Sequence, residues 1–149
     1  MKEVLEKVLA QFKEDGVDGH IENVDGTDTL RLIPTNLGPD GDSTVVMEMC
    51  RIPMEDEDDI YYIQLYTTIA VGLEEKDYPD ILVKLNDINL PMLMGYYGIL
   101  AESGMIYHKA IMRLPAMSDD DMAKHLIGTA YDCFAVIDFT FQQLQDIFA

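Results

Sequence analysis

Residues 77–121 read DYPDILVKLNDINLPMLMGYYGILAESGMIYHKAIMRLPAMSDDD, and their reading decides the fold. Pro79 suits the first turn of a helix that starts near Asp77. Ile81, Leu82, Leu85 and Ile88 form its apolar stripe before Pro91 ends it. Two apolar runs, Gly95–Ala101 and Met105–Leu114, flank Ser103-Gly104 and predict a β-hairpin. Ser118 is the natural N-cap of a last helix, and Asp119, Asp120 and Asp121 follow where the helix dipole favours negative charge.

That last helix runs to the C-terminus with Met122, Leu126, Ala130, Cys133, Ile137, Phe141, Leu144 and Phe148 at helical spacing. Upstream, Val4, Leu5, Val8, Leu9 and Phe12 mark a first helix over residues 2–15, stopped by Gly16. Residues 17–28 are turn-rich, with room for a short strand at His20–Val24. Leu30–Pro34 reads as a short strand, residues 36–42 as a hairpin connection, and Thr44–Ile52 as the next strand. The run Glu55–Asp59 reads as a solvated loop. Ile60–Val71 is a long strand whose odd positions (Tyr61, Ile63, Leu65, Ile69 and Val71) form the more apolar face. The order is α, three or four strands, α, two strands, α. It predicts one α+β domain over residues 1–149, with a mostly antiparallel sheet and helices on one face.

From Leu82 onward the chain resembles the YbjN-like family, which shares the fold of the small type III secretion chaperones. The residues that carry the likeness are LNDIN at 85–89, the strand opened by Gly95, the Ser103-Gly104 turn, the strand ending RLP at 113–115, and the long final helix. The resemblance implies a compact, non-catalytic module that binds other proteins, often as a homodimer. It supplies no catalytic residue to carry over.

Composition narrows the function classes. Ten Lys and Arg against 28 Asp and Glu give a formal charge of −18. A field of that sign repels phosphate backbones and anionic bilayers, so neither nucleic acid nor membrane is an expected partner. The N-terminal MKEVLEKVLAQFKEDG has charges throughout and is no signal peptide. The two cysteines, Cys50 and Cys133, sit in apolar periodic segments and read as buried free thiols of a cytoplasmic protein.

Recognised chemistry fails on spacing. An EF-hand loop started at Asp40 meets Arg51 at position twelve; one started at Asp25 meets Asn36; one started at Asp56 has Tyr61 where glycine is needed. His20, His108, His125 and the two cysteines show no paired zinc spacing. Ser43, Ser103 and Ser118 lack a nucleophile elbow. No cofactor, metal or catalytic residue is therefore expected. Asn86 and Asn89, three apart on the second helix, are either contacts to a partner or, as the residues favour, a helix-end cap or a tie to the loop before Gly95.

The hairpin gives the sharpest inference. A two-residue turn at Ser103-Gly104 pairs Ala101 with Ile106 and Leu100 with Tyr107. Tyr97, Ile99, Ala101, Ile106, His108, Ala110, Met112 and Leu114 then share the core face, with His108 a satisfied core histidine. The opposite face carries Tyr96, Leu100, Tyr107 and Ile111, interrupted by Gly98, Lys109 and Arg113. Tyr62 and Tyr66 join it from the long strand. These six, Tyr62, Tyr66, Tyr96, Leu100, Tyr107 and Ile111, are the candidate protein-binding residues. The competing reading covers this face with loops or the first helix. At the level of function, the residues favour a non-enzymatic homodimeric binding module. The alternatives are an acidic inhibitor or immunity-type protein for a basic partner and, behind it, a small carboxylate-based enzyme.

Overall fold

The computed structural model describes residues 1–38, 45–55 and 59–148. Helix α1 (Lys2–Glu14) leads into strands β1 (Asp18–Val24), β2 (Thr27–Ile33), β3 (Val46–Ile52) and β4 (Ile60–Ala70). A single 3-10 turn (Glu75–Asp77) precedes helix α2 (Tyr78–Asn89). Strands β5 (Tyr96–Leu100) and β6 (Met105–Pro115) and helix α3 (Asp119–Phe148) complete the chain. The strands form one sheet in the order β1-β2-β3-β4-β6-β5, with every neighbouring pair antiparallel. The expected α+β class, element order and antiparallel sheet are all present.

One core lies between sheet and helices. Val4, Leu5, Val8 and Phe12 of α1 bury against inward residues of the central strands, including Leu30, Leu32, Met47, Met49, Ile63 and Leu65. Each such side chain contributes about 1.5–3 kcal/mol on burial. α2 packs on β5 and α3, and α3 packs on α1 and β6. The stripe expected on α3 is buried from Met122 to Leu144, and only Phe148 of that set is exposed. Its N-terminus is closed as expected: Asp121 N–H donates to Ser118 Oγ at 3.1 Å, and the Ser118 hydroxyl donates to Asp121 Oδ2 at 2.8 Å.

Several details depart from the expectations, each for a local reason. The turn-rich segment hides a tight hairpin: Asp25 and Gly26 take φ of 51° and 85° between paired Val24 and Thr27. Two positive φ values in a row are what a type I′ hairpin demands, so β2 starts at Thr27 and not Leu30. In β4 a bulge between Thr68 and Ala70 inserts one residue and reverses the alternation. Ala70 therefore takes the next inward pairing, and Val71 lies beyond the strand, exposed. Leu82 is exposed on α2, whereas Ile81, Leu85 and Ile88 are buried. Cys133 is buried but Cys50 only half-buried, because Cys50 points to the outer sheet face. The connection expected at 36–42, the Thr44 strand start and the acidic run 55–59 fall wholly or partly outside the described residues.

Candidate protein-binding face

The β5–β6 hairpin does not use a two-residue turn. Ile99 pairs with Ile106 and Leu100 with Met105, so residues 101–104 form the connection and the register is two residues from the expected one. The cause is Gly104. It takes φ +59°, and a Cβ there would lie 2.5 Å from the Leu73 carbonyl oxygen, whose residue's N–H in turn donates to Gly104 O at 3.0 Å. This tie to the β4–α2 connection holds the tip open. Ala101 is consequently exposed in the turn and not part of the core, and Leu100 and Tyr107 are not opposite each other. A shift of two leaves every side chain on its own face. Tyr97, Ile106, His108, Ala110 and Leu114 are buried inward, with Ile99 and Met112 half-buried against them.

Register across β4, β6 and β5 puts all six candidate residues on the outward side. Tyr62 pairs with Arg113, Gln64 with Ile111, Tyr66 with Lys109, Lys109 in turn with Tyr96, and Tyr107 with Gly98. The helices pack on the other face, so α1 does not cover these residues. Ile111 is 52% exposed, Tyr96 45% and Leu100 41%, while Tyr62, Tyr66 and Tyr107 are half-buried.

The half-burial has an internal cause. Tyr66 and Tyr107 stack with ring centroids 4.8 Å apart and planes 22° from parallel, and Tyr96 meets Tyr107 edge-on at 6.3 Å. Tyr107 lies over Gly98, where a Cβ would come 2.6 Å from its hydroxyl oxygen. Gly98 thus makes room for the ring, and the three tyrosines form one preordered cluster. Burial raises the Tyr66 and Tyr107 hydroxyls above their ordinary pKa, and neighbouring tyrosines add to it. Both are neutral hydrogen-bonding groups at physiological pH.

Charge marks the same region. β4, β5 and β6, of eleven, five and eleven residues, contain no Asp or Glu in a chain that carries 28. Their outward charges are Lys109 and Arg113. Acid reappears on β3 at Glu48, where Arg31 takes it up: Nη2 lies 2.7 Å from Glu48 Oε1, and Nε lies 2.7 Å from Glu22 Oε1 without an aligned hydrogen bond. Sequence reasoning named the aromatic residues but not this carboxylate-free strip, although the three strands show it to direct reading.

The core side holds the polar residues that the sequence singled out. His108 is fully buried; its Nε2 lies 2.9 Å from the Met94 carbonyl, while Nδ1 has no partner. The core histidine is therefore satisfied on one nitrogen of two. Thr67, directly opposite on β4, likewise leaves its buried hydroxyl unpartnered. On the other side, Tyr97 donates to Thr140 Oγ1 at 2.7 Å, and Thr140 donates to Val136 O at 2.8 Å. Burial pushes Tyr97 up to about 12. Asn89 takes the structural role: its side chain donates to Tyr97 O at 2.9 Å and accepts from Tyr97 N–H at 2.7 Å. It pairs with one residue of the β5 edge as a neighbouring strand would, so both edge-facing backbone groups of Tyr97 are satisfied. Asn86 makes no such bond and is exposed.

Among the described residues no three His, Cys, Asp or Glu side chains are grouped to hold a metal, and no carboxylate is buried. No helix there is long and apolar enough to cross a membrane. The chain matches no protein-family model and no curated protein.

Proposed function

We propose that this protein is a non-enzymatic binding module whose contact surface is the outward face of β4, β6 and β5, and that a second copy of the chain occupies it. One observation carries the reading: a preordered tyrosine cluster on a strip free of carboxylates, in a protein of charge −18. Interface centres are depleted in charge and enriched in Tyr, Met and Arg, and this strip has that composition. Two molecules so acidic repel one another over most of their surfaces, and this strip is where they can approach. Closed pairing of identical patches is the commonest homo-oligomer. The resemblance to the YbjN-like family and its secretion-chaperone-like fold supports the same reading, through element order and the LNDIN, Ser103-Gly104 and RLP residues. Fold alone does not confer chaperone activity. Free thiols at Cys50 and Cys133 fit a reducing cytoplasm.

Light scattering at micromolar concentration tests the reading. The expected mass is twice 16.9 kDa. A mass that stays at the single-chain value on concentration removes the homodimer.

A further inference from the structure

The helix side carries a second surface that the sheet-face reading does not use. Between the 90–94 segment and α3 runs an apolar groove of about 390 Å³, with Ile88, Pro91 and Met92 along one wall and Ala135 and Val136 along the other. Two large side chains stand on its rim almost wholly in solvent: Leu93 is 96% and Phe139 88% exposed. Phe139 is off the buried stripe of α3. It lies two residues from buried Ile137 and two from buried Phe141, about 200° round the helix from each. No packing requirement of the described fold explains a phenylalanine there.

The charges around the groove identify what fits it. Asp132, Phe139 and Asp146 are spaced by seven residues, so they line up on one face of α3 about 10.5 Å apart. Asp87 adds a carboxylate from α2, in a continuing stretch of groove that reaches Asp146. Asp87, Asp132 and Asp146 are exposed, and none has an ion-pair partner among the described residues. Among the described residues of the lining, Lys84 is the one cation. An apolar anchor point with a carboxylate two turns to either side is complementary to a helix with apolar residues at i, i+3 and i+4 and Lys or Arg two turns away. A second copy of this chain would instead bring like charges together.

We propose that this groove docks a basic amphipathic helix of a partner protein, with an apolar side chain seated between Leu93 and Phe139 and flanking Lys or Arg on Asp132 and Asp146. The module then has two sides: a tyrosine face for its own copy and a groove for a basic partner. This surface also gives the acidic-inhibitor reading a physical place.

The test uses a fluorescein-labelled synthetic helix with Leu at the anchor positions and Lys two turns to either side. Two controls accompany it, one with the Leu replaced by Ser at equal charge and one with the Lys replaced by Glu. Fluorescence anisotropy should show the first peptide binding the full chain more than tenfold tighter than either control. Phe139→Ser should weaken it more than tenfold while leaving the melting temperature unchanged. Asp132→Asn with Asp146→Asn should weaken it and flatten its salt dependence. Leu100→Asp, on the sheet face, should bind the peptide like the wild type whether or not the chain dimerises. Equal binding of the Leu and Ser peptides, binding unaffected by Phe139→Ser, or no binding at all would overturn the proposal. Loss of dimer mass in Phe139→Ser would instead assign the groove to a second copy, and it too would overturn the proposal.

Discussion

Asn86 and Asn89 lie one turn apart on α2 and have opposite consequences. Asn89 satisfies both backbone groups of Tyr97 on the free edge of β5, and Asn86 satisfies nothing comparable. Asn89→Ala should therefore cost about 1–3 kcal/mol, because it strands two backbone groups at once. Asn86→Ala should fall within about 0.5 kcal/mol of the wild type. Urea denaturation of the two variants measures the contrast, and equal midpoints would show that the β5 edge needs no tie. His108 gives a pH prediction. Burial holds its pKa below the ordinary 6.5, with the Met94 carbonyl working weakly the other way. The unfolded chain therefore binds this proton first. The stabilisation from neutral His108 is complete above pH 6.5 and is lost as pH falls below it toward the folded value. Between pH 7 and pH 5 the wild type should lose more stability than His108→Gln. Parallel slopes over that interval would remove His108 from the acid response. Neither residue's task was readable in full beforehand. The spacing of the asparagines placed them on one helix, but only the fold brings β5 beside Asn89.

At the scale of elements, local chemistry was readable and long-range ties were not. The Ser118 cap, the apolar stripe of α3 and the face alternation of the hairpin all depend on near neighbours, and each is present. The hairpin register depended on Leu73, some thirty residues before Gly104, so turn chemistry alone placed it two residues away. The outward face is the same in either register, because the two differ by an even number of residues. The β4 bulge shows the opposite case, where one inserted residue turned Val71 away from the core. Two glycines separate these effects. Gly26 and Gly104 both take positive φ, but a Cβ meets nothing within 4 Å at Gly26 and backbone oxygen at 2.5 Å at Gly104. Gly26→Ala should cost about 1–2 kcal/mol for the left-handed backbone alone, and Gly104→Ala distinctly more. Equal losses in chemical denaturation would show that the Leu73 contact relaxes without cost. On α3, Ser118→Ala should cost about 1 kcal/mol through the lost cap.

Over the whole molecule, the distribution of charge matters more than its total. The sequence carries 28 Asp and Glu, yet β4, β5 and β6 contain none, and solubility alone does not require that segregation. Total charge was plain in the composition. The juxtaposition of β4, β6 and β5 was not, because β5 follows β4 in sequence but lies outside β6 in the sheet. Phe139 was missed for a related reason: off the stripe of a long helix it reads as an incidental surface residue until the 90–94 segment is beside it. Self-association through the sheet face should strengthen or hold as salt screens the −18 charges, whereas docking of a basic helix in the groove should weaken. The sheet face itself is tested by restoring what it lacks. Leu100 and Ile111 bracket the tyrosine cluster and are both exposed, so Leu100→Asp with Ile111→Asp adds carboxylates to the strip without emptying the core. The mass of this variant by light scattering should fall from two chains to one while its melting temperature stays within a few degrees of the wild type. A variant that remains dimeric, with the same concentration dependence as the wild type, would contradict the assignment of this face as the contact surface.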